Sequence, residues 1–282
     1  MNKIALISDT TADLNKETIE KYNINILSFR IIYKDREFKD GIDITPEEVY
    51  RGMNVEVPTS SLPSMQDMED LYVRLENQGF THAIAILLSS GLSGIYNALK
   101  LVSDNHPNIN TCIFDSKSIS MGEGALVEAG GELIECGKTF EEIVKFIPTL
   151  QQRIHLFFVV DTLEFLKKGG RIGKVLGTIA ELLNIKPIIS VDREGIYYTY
   201  DKVRGRKQSL NRIVEISNKI ISAKKCKIYI MNSYCLLDAQ KVYNDFSKLS
   251  NVTEVVFGGD ISPVSGVHSG PGLVGVVLVE EP

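Results

Sequence analysis

The chain's most distinctive chemistry lies in one short stretch, Ser89-Ser90-Gly91-Leu92-Ser93-Gly94, which directly follows the apolar run Ala83–Leu88. Ser89, Ser90 and Ser93 supply hydroxyls. Gly91 and Gly94 leave backbone N–H groups open where a helix begins, an arrangement that suits a carboxylate or phosphate. The same residues would serve equally well to cap that helix, so the loop alone leaves both uses open. Other polar segments occupy comparable places: Asp9-Thr10-Thr11-Ala12-Asp13 after a short apolar strand, the rigid, hydroxyl-rich Pro58–Ser64, and Asp115-Ser116 with Ser120, Gly122 and Gly124 at the start of another helix. Of the four histidines only His268 sits in a glycine-rich setting, Gly266–Gly272, read here as a loop. A lone histidine more often serves structure than chemistry.

These loops need a scaffold. Ala83–Leu88 reads as a strand buried on both faces of a parallel sheet, which puts the serine loop at the sheet's carboxyl edge. Strands over Lys3–Ser8 and Asn110–Phe114 alternate with helices over Leu14–Tyr22, Ser64–Asn77 and a segment carrying Tyr96, Leu99 and Val102. That alternation predicts an α/β fold whose first part is a doubly wound, mostly parallel sheet, with a ligand crevice at the strand ends. The helical pattern ends near Thr149–Arg153, so two α/β domains are expected, residues 1–153 carrying the polar loops and residues 154–282 closing over the ligand. The second is differently built: strands over His155–Val160, Lys227–Met231 and Leu273–Val279, a hairpin over Lys186–Asp192 and Gly195–Tyr200, and a helix over Lys174–Leu183, giving a mixed sheet with helices.

Composition narrows the function. At 282 residues and 44% hydrophobic the chain can bury a sizeable core. No apolar stretch approaches the roughly 18 to 20 residues that span a bilayer. Met1–Asp9 runs into a strand without a basic region or cleavage site, so a cytoplasmic location is expected. Cys112, Cys136, Cys226 and Cys235 lack metal-ligand spacing, so reduced thiols, no metal and no cofactor are expected. A net charge of −5 argues against nucleic acid as a partner. A local exception is the basic cluster Lys202, Arg204, Arg206 and Lys207, which reads as a solvated charge run or as a docking patch. No Walker loop or G-x-G-x-x-G follows a strand. A serine esterase using Ser93 and His268 is the rival reading. Gly91–Ile95 breaks the G-x-S-x-G elbow at its last position, however, and no acid partner for His268 is visible.

Taken in order, Ser8–Leu14, Pro58-Thr59-Ser60, Ser89–Gly94, Asp115-Ser116 with Ser120-Met121-Gly122, Leu166 through Gly173, Lys186-Pro187-Ile188 and His268 through Gly272 resemble the DegV family nearly end to end. The match departs only in having threonine after Asp9, which keeps the hydroxyl. The resemblance implies two α/β domains holding a long-chain fatty acid between them. It also implies a bacterial acyl carrier, non-catalytic on its own, that presents the carboxyl group to a separate fatty acid kinase subunit, whose acyl phosphate feeds phospholipid synthesis. Any membrane contact would be transient. Position by position, it puts the carboxylate on Thr59 and Ser93, with His268 reaching over from the second domain and Ser60 or Gly94 assisting, and it makes Arg204 the kinase contact. Hydroxyls, a helix-start N–H and an imidazole bind a carboxylate without a full opposing charge, while the buried tail supplies about 0.8 kcal/mol per CH₂. Adjacency nominates Leu92 and Ile95 for the acyl tunnel. Gly169-Gly170-Arg171 reads as a helix C-terminus with locally paired Arg171, outside the site.

Overall fold

The computed structural model describes residues 3–178 and 184–281. In the first half of the chain the strands are β1 (Ile4–Asp9), β2 (Asn25–Leu27), β3 (Arg30–Ile32), β4 (Glu37–Lys39), β5 (Thr59–Ser61), β6 (His82–Leu87) and β7 (Asn110–Asp115). The helices there are α1 (Lys16–Lys21), α2 (Pro46–Gly52), α3 (Met65–Asn77), α4 (Ile95–Ser103), α5 (Met121–Glu135) and α6 (Phe140–Gln151). The second half contributes β8 (Ile154–Val159), β9 (Ile185–Val191), β10 (Tyr197–Arg204), β11 (Cys226–Asn232), β12 (Val252–Asp260) and β13 (Val274–Glu280). Its helices are α7 (Glu164–Lys168), α8 (Arg206–Ile221), α9 (Leu236–Phe246) and α10 (Pro263–Ser269). Among the described residues no helix is long and apolar enough to cross a membrane.

The chain is an α/β protein with a parallel sheet ordered β2-β1-β6-β7 and a mixed sheet ordered β10-β9-β8-β13-β11-β12. In β6, Ala83 to Leu87 are all fully buried, because helices cover both faces of a parallel sheet. Parallel pairing of β1, β6 and β7 sends the loops that follow them, with Asp9–Asp13, Leu88–Gly94 and Ser116–Ser120, to one edge. In the mixed sheet the side chains alternate between two cores. Leu156 and Phe158 of β8 face the first half of the chain, while Phe157 and Val159 join Leu210, Ile213 and Val242 of α8 and α9. One apolar cluster therefore runs from Ala5 and Ile7 through to Leu156, Phe158 and Val277.

Three local expectations change. Pro58–Ser64 is not merely a loop before a helix. Its residues Thr59–Ser61 pair antiparallel with β3 in a small sheet ordered β4-β3-β5. Gly266–Gly272 is not wholly a loop, since Pro263 at the first turn starts a helix that carries His268. The helix expected over Lys174–Leu183 is a 3-10 segment over Gly173–Thr178, and its remainder lies outside the described residues.

Gly131, buried within α5, is required by close packing rather than by its backbone angles, because a Cβ there would come within 2.4 Å of Tyr22 Cγ and 2.8 Å of Tyr22 Cβ. Alanine would gain about 1 kcal/mol of helix propensity. The clash falls on the rigid root of the ring, where overpacking costs about 1–3 kcal/mol. Gly131→Ala should therefore lower the urea midpoint; an unchanged or raised midpoint would show that Tyr22 yields without cost.

Candidate ligand-binding site

A cavity lies between the carboxyl edge of the parallel sheet and the mixed sheet. From one side Thr11, Leu88, Leu92, Ser93, Ile119 and Ser120 line it, all from loops that follow strands; from the other, Leu156, Phe158, Met231 and Val277 project from β8, β11 and β13. Helix α10 supplies Val264, Ser265, His268 and Ser269. Most of the wall is apolar, and Ser60, Ser93, Arg171 and His268 belong to the polar remainder.

The small sheet decides which hydroxyl of β5 enters. Ser60 pairs with buried Ile31 and points inward, while Thr59 and Ser61 are exposed on the opposite face. Ser60 lines the cavity and Thr59 does not: its hydroxyl donates instead to the Ile32 carbonyl at 3.4 Å. Ser60 Oγ lies 2.7 Å from His268 Nε2, joining the first half of the chain to α10. Behind the imidazole, Gly169 leaves the space that the ring occupies, since a Cβ there would lie 2.2 Å from Nδ1. Burial, with the Arg171 charge adding to it, lowers the His268 pKa to about 4. The ring is therefore neutral at physiological pH, offering one N–H and one lone pair, and Ser60 takes the complementary role.

Arg171 follows Gly170, which adopts a left-handed conformation at φ +72° just beyond α7. Its Nε donates to the Leu92 carbonyl at 3.3 Å and its Nη1 to the Gly169 carbonyl at 2.6 Å. The local pairing expected for Arg171 is present, yet the side chain also lines the cavity, next to the serine loop on one side and the His268 platform on the other. The paired glycines were the available signal, because they let the chain turn tightly and admit the imidazole. A guanidinium, serine hydroxyls and a neutral imidazole are groups that could receive a carboxylate, and a charge-assisted bond from the N–H groups that Arg171 does not give to Leu92 and Gly169 would be the strongest of them.

Other expected residues lie elsewhere. Gly94 caps α4 outside the cavity wall, with its α-carbon side against Leu62, and Ser93 Oγ accepts from Ile95 N–H at 3.3 Å. Leu92 lines the cavity, whereas Ile95 is fully buried in the core behind it. Arg204 stands exposed at the end of β10, beyond a bulge between Thr199 and Asp201, with Tyr200 and Lys202 exposed along the same strand. Arg206 is drawn inward to Asp238 at 2.8 Å and leaves the exposed basic group. His268 pairs with Ser60 rather than Ser93, and among the described residues no partner meets its buried Nδ1.

A family model described as "Uncharacterised protein, DegV family" matches residues 3–281. The chain belongs to the DegV family. A DegV domain-containing protein of Clostridium acetobutylicum is 60% identical over the full length of both chains, and one of Clostridium perfringens is 42% identical over the same span. Among solved structures, a fatty-acid-binding DegV protein of Thermus thermophilus superposes with a TM-score of 0.91 at 26% identity, covering 99% of this chain and 100% of that one. DegV of Bacillus subtilis, a fatty acid binding protein, gives 0.91 at 26% over 100% of both. A stearic-acid-binding protein of Eubacterium ventriosum gives 0.86 at 27%, covering 99% of this chain and 98% of its own. The α/β architecture, with its parallel and mixed sheets, is thus the DegV fold.

The neutral imidazole of this DegV chain can be tested directly. Since burial depresses the His268 pKa, the folded state is favoured while the ring is neutral, above the ordinary 6.5; that advantage is lost as pH falls toward about 4. In ligand-free protein the His268 ring resonances should stay fixed from pH 8 to 5.5 and move only below that. A midpoint near 6.5 would put the ring in water.

Proposed function

We propose that the protein binds one long-chain fatty acid, its carboxylate against Arg171, Ser93, Ser60 and His268 and its chain along the apolar wall. The observation that carries this reading is the composition of a single cavity: one cation, Arg171, and a neutral imidazole with several hydroxyls, Ser60 and Ser93 among them, in a wall that is mostly Leu, Ile, Val, Phe and Met side chains. An apolar tail without a head-group anchor would need no arginine, and a small polar anion would gain nothing from so much apolar wall. The fatty acids bound by related DegV structures support the same reading. In this reading residues 1–153 and 154–282 act as two domains closing on the ligand, and the inward-facing Ser60 takes the carboxylate role that the family pattern gave to Thr59.

The carrier role rests on the family pattern and on the exposed Lys202 and Arg204. A separate kinase subunit would dock there, transfer the γ-phosphoryl group of ATP to a carboxylate oxygen and release ADP. The acyl phosphate would then enter phospholipid synthesis in the cytoplasm. Ester hydrolysis is the second reading, favoured by the Ser60–His268 contact. A ring whose pKa is pushed down to about 4, with no carboxylate on Nδ1 among the described residues, is a poor general base.

Denaturing extraction of purified protein should release one long-chain fatty acid per chain. Protein that is empty and refuses added oleate and palmitate would sink the proposal. Ser93→Ala or Ser60→Ala should weaken binding by about 1.5–3 kcal/mol, one charge-assisted hydrogen bond, with Thr59→Ala close to wild type. Equal effects at Thr59 and Ser60 would place the head group on the other face of β5. Arg204→Glu should leave oleate affinity unchanged while lowering acyl phosphate formation with a DegV-dependent kinase and ATP, and higher salt should mimic it. Wild-type turnover by this variant at limiting carrier would return Arg204 to a solvated charge.

A further inference from the structure

Behind the cavity wall lies a group of carboxylates that ligand binding does not use. Asp9, Asp40 and Glu123 are fully buried, and Asp13 is half-buried beside them. Asp9 accepts from the backbone and hydroxyl of Thr11 at 2.9 and 2.6 Å and from Leu88 N–H at 2.9 Å, which ties the first polar loop to the serine loop. Glu123 accepts from the Ser8 hydroxyl at 3.2 Å, and its other oxygen lies 3.1 Å from Thr11 Oγ1. Asp13 and Asp40 differ from these two because they reach across to the second half of the chain. Asp13 accepts from Ser262 N–H at 2.8 Å and from Ser120 Oγ at 2.5 Å, and Asp40 accepts from Val264 N–H at 3.3 Å.

Ser262 and Val264 lie at the N-terminal end of α10, whose other end carries His268 and whose flank walls the cavity. The remaining ties of α10 to the first half are uncharged at neutral pH. Gly266 lies flat on the Tyr50 ring, where a Cβ would come within 2.6 Å, Tyr50 donates to the Ile261 carbonyl at 3.4 Å, and Ser60 meets His268. Ser120, the cavity-lining partner of Asp13, is held at φ +57° and ψ −147°, a conformation that L-residues rarely adopt and that persists only when its surroundings impose it. The Thr10 hydroxyl also bonds to the Asp40 carboxyl group, and among the described residues no partner lies within hydrogen-bond geometry of its buried Oδ1.

We propose that Asp13 and Asp40 form a proton-dependent clamp on the N-terminal end of α10, so that their ionisation sets how readily the crevice opens and the bound fatty acid leaves. The proposal rests on the fatty-acid reading of the cavity. Burial pushes Asp13 up to about 7 and Asp40 up to about 7. The groups facing them are Asp9 beside the first polar loop, Glu123 on α5, Tyr50 on α2 with Asp260 of β12 near it, and Tyr197 on β10; α10 itself carries only His268. Both tyrosines are pushed upward and stay neutral, and among the described residues no lysine or arginine pairs with Asp13 or Asp40. Their charges therefore meet only other carboxylates and hydrogen-bond donors. Opening the crevice would return them to water and to the ordinary value of 3.8. The closed form holds the protons more tightly, so closure is fully favoured below that value and is progressively lost as pH rises through about 7. Each carboxylate solvated on opening makes opening about tenfold easier at pH 8 than at pH 6. His268, neutral throughout that window, contributes nothing to it.

The test loads the full chain with oleate and follows its transfer to excess serum albumin from pH 6 to 8. Wild type should release oleate at least tenfold faster at the upper end. Asp13→Asn combined with Asp40→Asn, which keeps acceptors for Ser262 and Val264 N–H, should release it slowly at every pH. A flat wild-type profile, or a slope that survives in the double variant, overturns the clamp. Failure of wild type to take up oleate at all would overturn the fatty-acid reading instead. Ligand-free wild type provides a separate measurement: hydrogen-exchange protection of the Ser262 and Val264 amides, corrected for intrinsic exchange, should fall at least tenfold over the same range. Constant protection overturns the clamp whether or not oleate binds, and whether or not the variants fold.

Discussion

The seating of helix α10 against the first half of the chain is the contact on which the site depends. Each sheet would have an apolar face open to water without the other, and the cavity exists only where those faces are held slightly apart. Three devices set that spacing: Gly266 on the Tyr50 ring, the Ser60–His268 hydrogen bond, and the acceptance of Ser262 and Val264 N–H by Asp13 and Asp40. A glycine permits the approach, a neutral pair fixes one end of the helix and two carboxylates fix the other. The helix is too short to hold itself in place, so these tertiary contacts set its position.

The electrostatics divide along the same helix. At its C-terminal end the cavity carries a guanidinium and a neutral imidazole, an environment that stabilises an incoming anion without a buried countercharge already in place. A protonated His268 beside Arg171 would put two cations together in a desolvated space, and burial prevents this by lowering the ring's proton affinity. At the other end burial raises the carboxylates, since taking a negative charge out of water costs more than the surrounding hydrogen bonds return. Burial thus keeps His268 uncharged at one end and favours protonated Asp13 and Asp40 at the other, which leaves Arg171 as the cation in a mostly apolar wall.

What the sequence made legible followed from periodicity. The unbroken run Ala83–Leu88 identified the central parallel strand, and with it the position of Ser93 at the carboxyl edge. Alternation of strands and helices identified the α/β class. What stayed hidden depended on single-residue register or on contacts between distant segments. In a three-residue strand flanked by prolines, the choice between Thr59 and Ser60 turns on pairing with Ile31, which no local pattern reveals. The glycines of Gly266–Gly272 read as a loop, whereas the helix that carries His268 starts upstream at Pro263. Arg171 was read through its neighbours as a helix terminus. That reading is correct for its backbone and incomplete for its side chain, which reaches Leu92 from a segment far away in sequence.

Under the proposed fatty-acid reading, tight holding has to be reconciled with release, and the two demands fall on different parts of this architecture. At about 0.8 kcal/mol per CH₂, burial of a long acyl chain alone would make spontaneous loss very slow. Nothing in an apolar wall can vary that term. Variation has to come from the polar seam, where contacts exchange protein donors for water at modest net cost and where protonation alters their balance. The Asp9–Asp13 segment, which reads from sequence as one more polar loop, lies along that seam: Asp9 ties it to the serine loop and Asp13 ties it to α10. Opening the seam along α10 would expose the chain and the head group together, since the same helix walls the cavity and carries His268.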